Sequence, residues 1–225
     1  MKSVAFAAVV LVAASLCATI APAQETRGFA PFIDIDLGLP FAGGDTSLGG
    51  FQDIRHKSLG GHALSASFGV DYDGWEAVSL YAKAHGGTFS RKTNGVINTA
   101  PGPFFGQTGP FNGNERTTFV GAGAGLRIKG LPNPLGKLAG GAPFDRTAEL
   151  QVGGGAGYGR TVVSGRNFRS TGSGVIVWGE AAYRMKVTNN VMIGPATTII
   201  GGSYNKGAIA PTTTIIGSIR TTLNF

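Results

Sequence analysis

Apolar and polar residues alternate with a period of two along most of this chain. That pattern belongs to strands with one face in a nonpolar medium and the other in a polar one. In GFAPFIDIDLGL, Ile33, Ile35, Leu37 and Leu39 alternate with Asp34, Asp36 and Gly38. In HALSASFGVDY, Leu64, Ala66, Phe68, Val70 and Tyr72 alternate with Ala63, Ser65, Ser67, Gly69 and Asp71. Asp73-Gly74 follows as a two-residue turn of the kind hairpins prefer. WEAVSLYAKAH then sets Val78, Leu80, Ala82 and Ala84 against Ser79, Tyr81, Lys83 and His85. In FVGAGAGLRI, Val120, Ala122, Ala124, Leu126 and Ile128 share one face, and Phe119, Gly121, Gly123, Gly125 and Arg127 the other.

The second half repeats the pattern. Leu150, Val152, Ala156 and Tyr158 oppose Glu149, Gln151 and a glycine ladder at Gly153, Gly155, Gly157 and Gly159. Val175, Val177, Ala181, Tyr183 and Met185 oppose Ile176, Trp178, Glu180, Arg184 and Lys186. A less regular strand runs over 191–204, and the last sets Ile215, Ile219, Leu223 and Phe225 against Ile216, Ser218, Arg220 and Asn224. Eight strands are expected. Connections after strands two and six are tight, whereas 40–60, 86–114, 160–173 and 205–211 read as long loops. Short turns at one end and long loops at the other describe a closed transmembrane barrel with an even strand number. Segment 129–146 is too long for a standard turn, which keeps ten strands as the alternative.

The glycines decide between a phosphate loop and a wall. A dinucleotide fingerprint needs a third glycine where Leu126 and Tyr158 stand, and Gly130 and Gly136 are one residue too far apart for a Walker loop, whose lysine must precede Ser or Thr and not Leu138. As strand residues, inward glycines let a small barrel curve and leave room for Tyr81, Phe119 and Trp178. A soluble β-sandwich would also alternate, but its core would use bulkier residues than alanine and glycine. The fold class expected is all-β, a single closed antiparallel transmembrane β-barrel.

Composition refines the picture at three points. Lys2, the apolar run from Val4 to Leu16 and Ala21-Pro22-Ala23 form a signal-peptide pattern, so residues 1–23 are expected to be removed and 24–225 to form the barrel domain. Cys17, the one cysteine among 225 residues, lies in that leader; Leu16 stands where a lipoprotein signal carries a small residue. The net charge is +7. The phase of alternation puts Asp34, Asp36, Asp71, Glu149 and Glu180 in the lumen with Lys83, Arg127, Arg184, Lys186 and Arg220, a near balance. Glu149 and Arg127 lie near the same end of adjacent strands, and Arg220 can face Asp34 or Asp36. Eight strands enclose an interior that side chains fill, which favours a paired network over a charged pore or binding site.

The surplus of positive charge therefore falls in the expected loops, at Arg55, Lys57, Arg91, Lys92, Arg116, Arg160, Arg166, Arg169 and Lys206, against Asp45, Asp53 and Glu115. A basic rim attracts phosphorylated headgroups or anionic polymers, and Arg91, Lys92, Arg160, Arg166 and Arg169 are the candidate contacts for an anionic ligand. Solvated loop charge is the plainer explanation. Nucleic acid is not an expected partner of an exported chain.

In these features the chain resembles the small bacterial outer-membrane barrels of the OmpA, OmpX and opacity-protein type. The resemblance lies in pattern over the whole chain after residue 23, and its most specific element is the C-terminal run with Ile219, Leu223 and Phe225; Thr221 departs from the apolar period there. It implies insertion by the outer-membrane assembly machinery, which reads that strand, and contact with outer-membrane lipid and lipopolysaccharide. Members serve as adhesins, immune-evasion factors, minor porins or envelope anchors, so a fold of this kind fixes no single activity. The expectation is a non-enzymatic barrel in an envelope-structural or surface-interaction role, with a ligand reached through its loops. A small porin-like channel and a lipid A-modifying enzyme are the alternatives. Acyl chemistry needs a nucleophile, a base and an orienting acid within reach. His56 sits in a loop, His85 ends a strand near Ser90, and no histidine and serine stand two apart on one strand as in the related deacylases. Scattered histidines and the lone Cys17 suggest no metal site, and no cofactor is expected.

Overall fold

Every second side chain faces lipid or lumen because the strands run in register around a ring. In the computed structural model, which describes residues 28–43, 46–47, 53–97, 109–142, 144–165, 168–207 and 213–225, the long strands are eight. They are β1 (Phe29–Gly43), β2 (Asp53–Tyr72), β3 (Val78–Ile97), β4 (Gly109–Asn133), β5 (Asp145–Gly165), β6 (Phe168–Lys186), β7 (Val191–Gly207) and β8 (Thr214–Asn224). Each is antiparallel to its neighbours in sequence, and β1 pairs with both β2 and β8, which closes the sheet. A two-residue strand, Thr46–Ser47, adds to the far end of β2. Closure matters because lipid offers no partners to an open sheet edge. The expected signal peptide, together with Asp45, lies outside the described residues.

The outward face is apolar over a limited height. On β4 it runs from Val120 through Ala122, Ala124 and Leu126 to Ile128, all exposed. At ~3.4 Å per residue and a tilt of ~40°, that run covers roughly 20 Å along the barrel axis. Outward Thr118 and Arg116 follow at one end. On β5 the corresponding run from Val152 to Tyr158 is followed by outward Arg160. At the other end, which carries the short turns at 73–77 and 187–190, Phe29, Tyr72, Trp75 and Phe225 are exposed, with Phe29 and Tyr72 ring centroids 5.1 Å apart. Amphipathic aromatics gather at such boundaries because one side of the ring meets acyl chains and the other meets headgroups.

The structure corrects the expected loops. Residues 86–97 and 109–118 continue β3 and β4 as a paired ladder, and 160–165 and 168–173 likewise extend β5 and β6. Beyond the apolar band the outward face turns polar at Ser90, Lys92, Asn114 and Arg116, while the inward face mixes Phe89 and Val163 with Arg91, Glu115 and Thr117, so alternation disappears although pairing persists. Segment 129–146 is also mostly structured. Gly130, at φ +76°, sits in the irregularity between Ile128 and Leu131, and a 3-10 helix at Gly136–Ala139 precedes β5.

Inward glycines of β4 and β5 make the space anticipated for large side chains. A Cβ on Gly125 would lie 2.6 Å from the Tyr81 hydroxyl, and one on Gly153 would collide with the same group; Gly155 gives way to Trp178. The interior is thus filled by side chains reaching across from β3 and β6.

Candidate functional site

The lumen is stacked in tiers. At the turn end, Arg127 of β4 pairs with Asp71 of β2, its guanidinium centred 4.0 Å from the Phe32 ring centroid. Arg184 of β6 pairs with Glu149 of β5. The sequence suggested Glu149 beside Arg127, but Glu149 takes Arg184, directly opposite on the neighbouring strand, and Arg127 reaches past β3 to Asp71. Lys186 lines an open basin of about 320 Å³ at this end, with Lys129, Arg146 and Glu149.

The middle tier centres on Glu180. Tyr81 donates to its Oε1 at 2.7 Å and Gln151 at 3.1 Å, while Lys83 and Arg220 each donate to Oε2 at 2.8 Å. Arg220 also donates from Nε and Nη2 to the two oxygens of Asp36, at 2.7 and 2.9 Å. Asp34 accepts from Thr222 at 2.7 Å and Ser67 at 3.3 Å, with Lys83 Nζ 3.6 Å away. Asp34, Arg220, Thr222 and Gln151 have no surface a water can touch. Burying so many charges is tolerable because Asp34, Asp36 and Glu180 each meet a cation, although Gln151 Oε1 and Arg220 Nη1 are left without a hydrogen-bond partner. Alternation marks the charges, but Tyr81, Gln151, Ser67 and Thr222 complete the network. The signal that could have found them is their position on the same inward parity.

Above this tier lies an apolar one of Phe89, Phe119, Ile176, Trp178, Ile200 and Ile216. His85 is buried there, its ring centroid 5.2 Å from Phe119 and 5.3 Å from Trp178. A cavity of about 10 Å³, bordered by Asp36, Ser65, His85 and Thr198, separates the tiers and is large enough for one water. Further up, Arg91 bonds Glu115 at 3.0 Å, both buried. Arg91 and Glu115 were expected in outer loops; they face inward on the extended strands, so Arg91 leaves the set of candidate ligand contacts. Lys92, Arg160 and Arg169 are exposed, and Arg116 joins them on the outward side. Arg166, Arg55, Lys57 and Lys206 have side chains outside the described residues. On β8, Ile219 is exposed on the outer wall and Leu223 is half-buried, and Phe225, just past its end, is exposed.

His56 and Ser58, two apart, lie on β2 and not in the expected loop, with side chains outside the described residues. Among the described residues, one serine–histidine contact is present, and it joins neighbouring strands. Ser90 of β3 lies 3.1 Å from Nδ1 of His62 on β2, on the outer surface, and not beside His85 as the sequence suggested. Among the described residues no hydrogen bond or salt bridge joins a carboxylate to His62, and no group of acids and histidines is arranged to hold a metal.

A closed antiparallel ring, apolar outside and charged within, defines a transmembrane β-barrel. Comparison with solved structures places that barrel in the outer-membrane fold. It is similar to the outer membrane protease OmpT from Escherichia coli, at 11% identity over 90% of this chain and 100% of that one, with a TM-score of 0.50. It is also similar to OprG from Pseudomonas aeruginosa (10% identity, 88% and 96% coverage, TM-score 0.43) and to Ail of Yersinia pestis (12%, 87% and 99%, 0.39). No protein-family model and no curated protein matches the sequence. At these identities the likeness is one of fold.

Proposed function

We propose that the chain is an exported, non-enzymatic outer-membrane barrel with a plugged interior, acting through the surface it presents beyond the membrane in a structural or binding role. Residues 1–23 are its signal peptide. The single observation that carries the reading is the sealed middle of the lumen, where Asp34, Gln151, Arg220 and Thr222 exclude even water. A channel needs a wetted path past that level, and an acyl hydrolase needs an acid to orient its histidine. Neither requirement is met by the described residues. Planar-bilayer recording tests it: the reconstituted protein is expected to give no stable conductance steps, and reproducible channels would replace this reading with that of a small porin.

The partner favoured is anionic outer-leaflet lipid. Lys92, Arg116, Arg160 and Arg169 lie outward on four adjacent strands, just beyond the apolar band, where phosphate groups of lipopolysaccharide would sit. Their neighbours on that face are neutral, such as Ser90, Asn114, Thr118 and Ser173. Changing Arg116, Arg160 and Arg169 together to Gln is expected to weaken binding of purified lipopolysaccharide and to flatten its salt dependence. Unchanged binding would discard the lipid contact while leaving the plugged barrel intact. The outward apolar residues Ile219 and Leu223 of β8, with Phe225 just past its end, are the surface offered to the assembly machinery.

A further inference from the structure

The connection between β4 and β5 is folded against the outside of the barrel. Tyr183, on the outward side of β6, reaches across β5 to donate its hydroxyl to the carbonyl of Pro132 at the end of β4. Ala148 of β5 lies between them, and it is fully buried although it shares the outward parity of Leu150 and Val152. Asn133 ties the start of the connection down: its Nδ2 donates to the Lys186 carbonyl at 2.9 Å and to Thr147 at 2.8 Å, while its Oδ1 accepts from the Leu135 amide at 2.9 Å. The 3-10 helix Gly136–Ala139 follows, closed by Gly140 in the left-handed conformation at φ +79°.

This braced segment displays two large apolar side chains. Leu138 and Phe144 are each 69% exposed, and Phe144 is held at φ +57°, a conformation that bulky residues rarely adopt. Exposed Lys137 adjoins Leu138, and exposed Arg146 stands two residues past Phe144. The position around the ring explains the display. Elsewhere at the turn end the barrel's own residues Phe29, Tyr72, Trp75 and Phe225 supply an aromatic boundary, all on or beside β8, β1, β2 and the turn into β3. On the side of β4 to β6, among the described residues, Tyr183 is the one wall aromatic near the turn end, Tyr158 standing towards the other end, and the Tyr183 hydroxyl is engaged with Pro132.

We infer that residues 134–142 together with Phe144 form an interfacial anchor, with Leu138 and Phe144 inserted among the lipids of the turn-end leaflet and Lys137 and Arg146 reaching the headgroup phosphates. The occupant is lipid because the segment continues the lipid-facing wall. Apolar side chains flanked by cations are the composition of segments lying in a membrane surface. The inference rests on the membrane-embedded reading above and names a contact that reading does not require.

Tryptophan reporters test it in the full chain reconstituted in phosphatidylcholine–phosphatidylglycerol vesicles. With Trp75→Phe and Trp178→Phe together as background, so that each variant carries one tryptophan, Leu138→Trp and Phe144→Trp are made separately, and Val120→Trp serves as the reporter of the wall. Both segment reporters are expected to show blue-shifted emission, strong quenching by brominated acyl chains and protection from iodide. If Val120→Trp is quenched by brominated lipid while the segment reporters are quenched only by iodide, the anchor is overturned and the barrel's membrane placement survives. If Val120→Trp itself escapes brominated lipid, both fall.

Discussion

Arg220 of β8 holds Asp36 of β1 through two parallel contacts, Nε to Oδ1 at 2.7 Å and Nη2 to Oδ2 at 2.9 Å. The two residues stand directly opposite each other on the strands that close the barrel. The last and first strands are thus joined by the backbone ladder and by a buried bidentate pair, the geometry in which arginine and carboxylate bind best. Removing Arg220 strands Asp36 and takes one donor from Glu180. Arg220→Leu is expected to cost about 3–5 kcal/mol, the usual loss when a buried pair is broken from one side. Urea unfolding in lipid vesicles, followed by gel mobility of the unheated protein, measures it. Adding Asp36→Leu should recover part of the loss; strictly additive penalties would count against the pair.

Gly153 and Tyr81 make a sharper test of how the wall is packed. A methyl on Gly153 would collide with the Tyr81 hydroxyl, so Gly153→Ala is expected to destabilise by roughly 1–3 kcal/mol, as overpacked cores do. In a Tyr81→Phe background that penalty should shrink but not vanish, because the hydroxyl is gone while the Ala124 carbonyl, 2.6 Å from the added carbon, remains. A double-mutant cycle on the same unfolding assay gives the coupling. Zero coupling would mean that the ring does not occupy the space above Gly153.

The height of the lipid band is fixed by outward residues of β4. Ala124 lies midway between Val120 and Ile128, so Ala124→Arg is expected to cost about 2–4 kcal/mol, the price of a cation at the bilayer midplane. Arg116→Ala, beyond the band, should change stability little. Equal effects at the two positions would show that the band is misplaced along the axis.

Two barriers seal the lumen in series: the charged tier around Glu180 and the apolar tier around Trp178. Trp178→Ala is therefore expected to lower stability by roughly 3–5 kcal/mol through the cavity it leaves, yet to leave planar bilayers silent, since the charged tier remains beneath. Channel openings in that variant would locate the seal in the apolar tier alone.

The side of the wall on which a residue lies is legible from period-two alternation, because one face meets lipid and the other meets charge. Asp34, Lys83, Glu180 and Arg220 declare themselves that way. Arg91 and Glu115 do not: past the lipid boundary the outward face is polar and the inward face mixes Phe89 with charges, so no alternation is left and 86–97 and 109–118 read as loops. The pairs are less legible still. Nothing in the chain distinguishes Asp71 from Glu149 as the partner of Arg127, because that choice depends on the stagger with which distant strands meet around the ring. His62 and Ser90 likewise meet only because β2 and β3 are in a register that sets them opposite.

The amino-acid sequence by itself determined a closed wall of even strand number, with eight expected and ten the alternative, its apolar exterior, its charged and glycine-lined interior, and an unusual connection at 129–146. It could do so because the pleat gives every strand the same two-residue repeat whatever its neighbours are. Tertiary structure alone decided which charge answers which, that the middle of the lumen is shut, and that the connection after β4 folds outward onto β6. Those are relations between residues far apart in the chain, set by barrel closure and by the volume of side chains meeting across it.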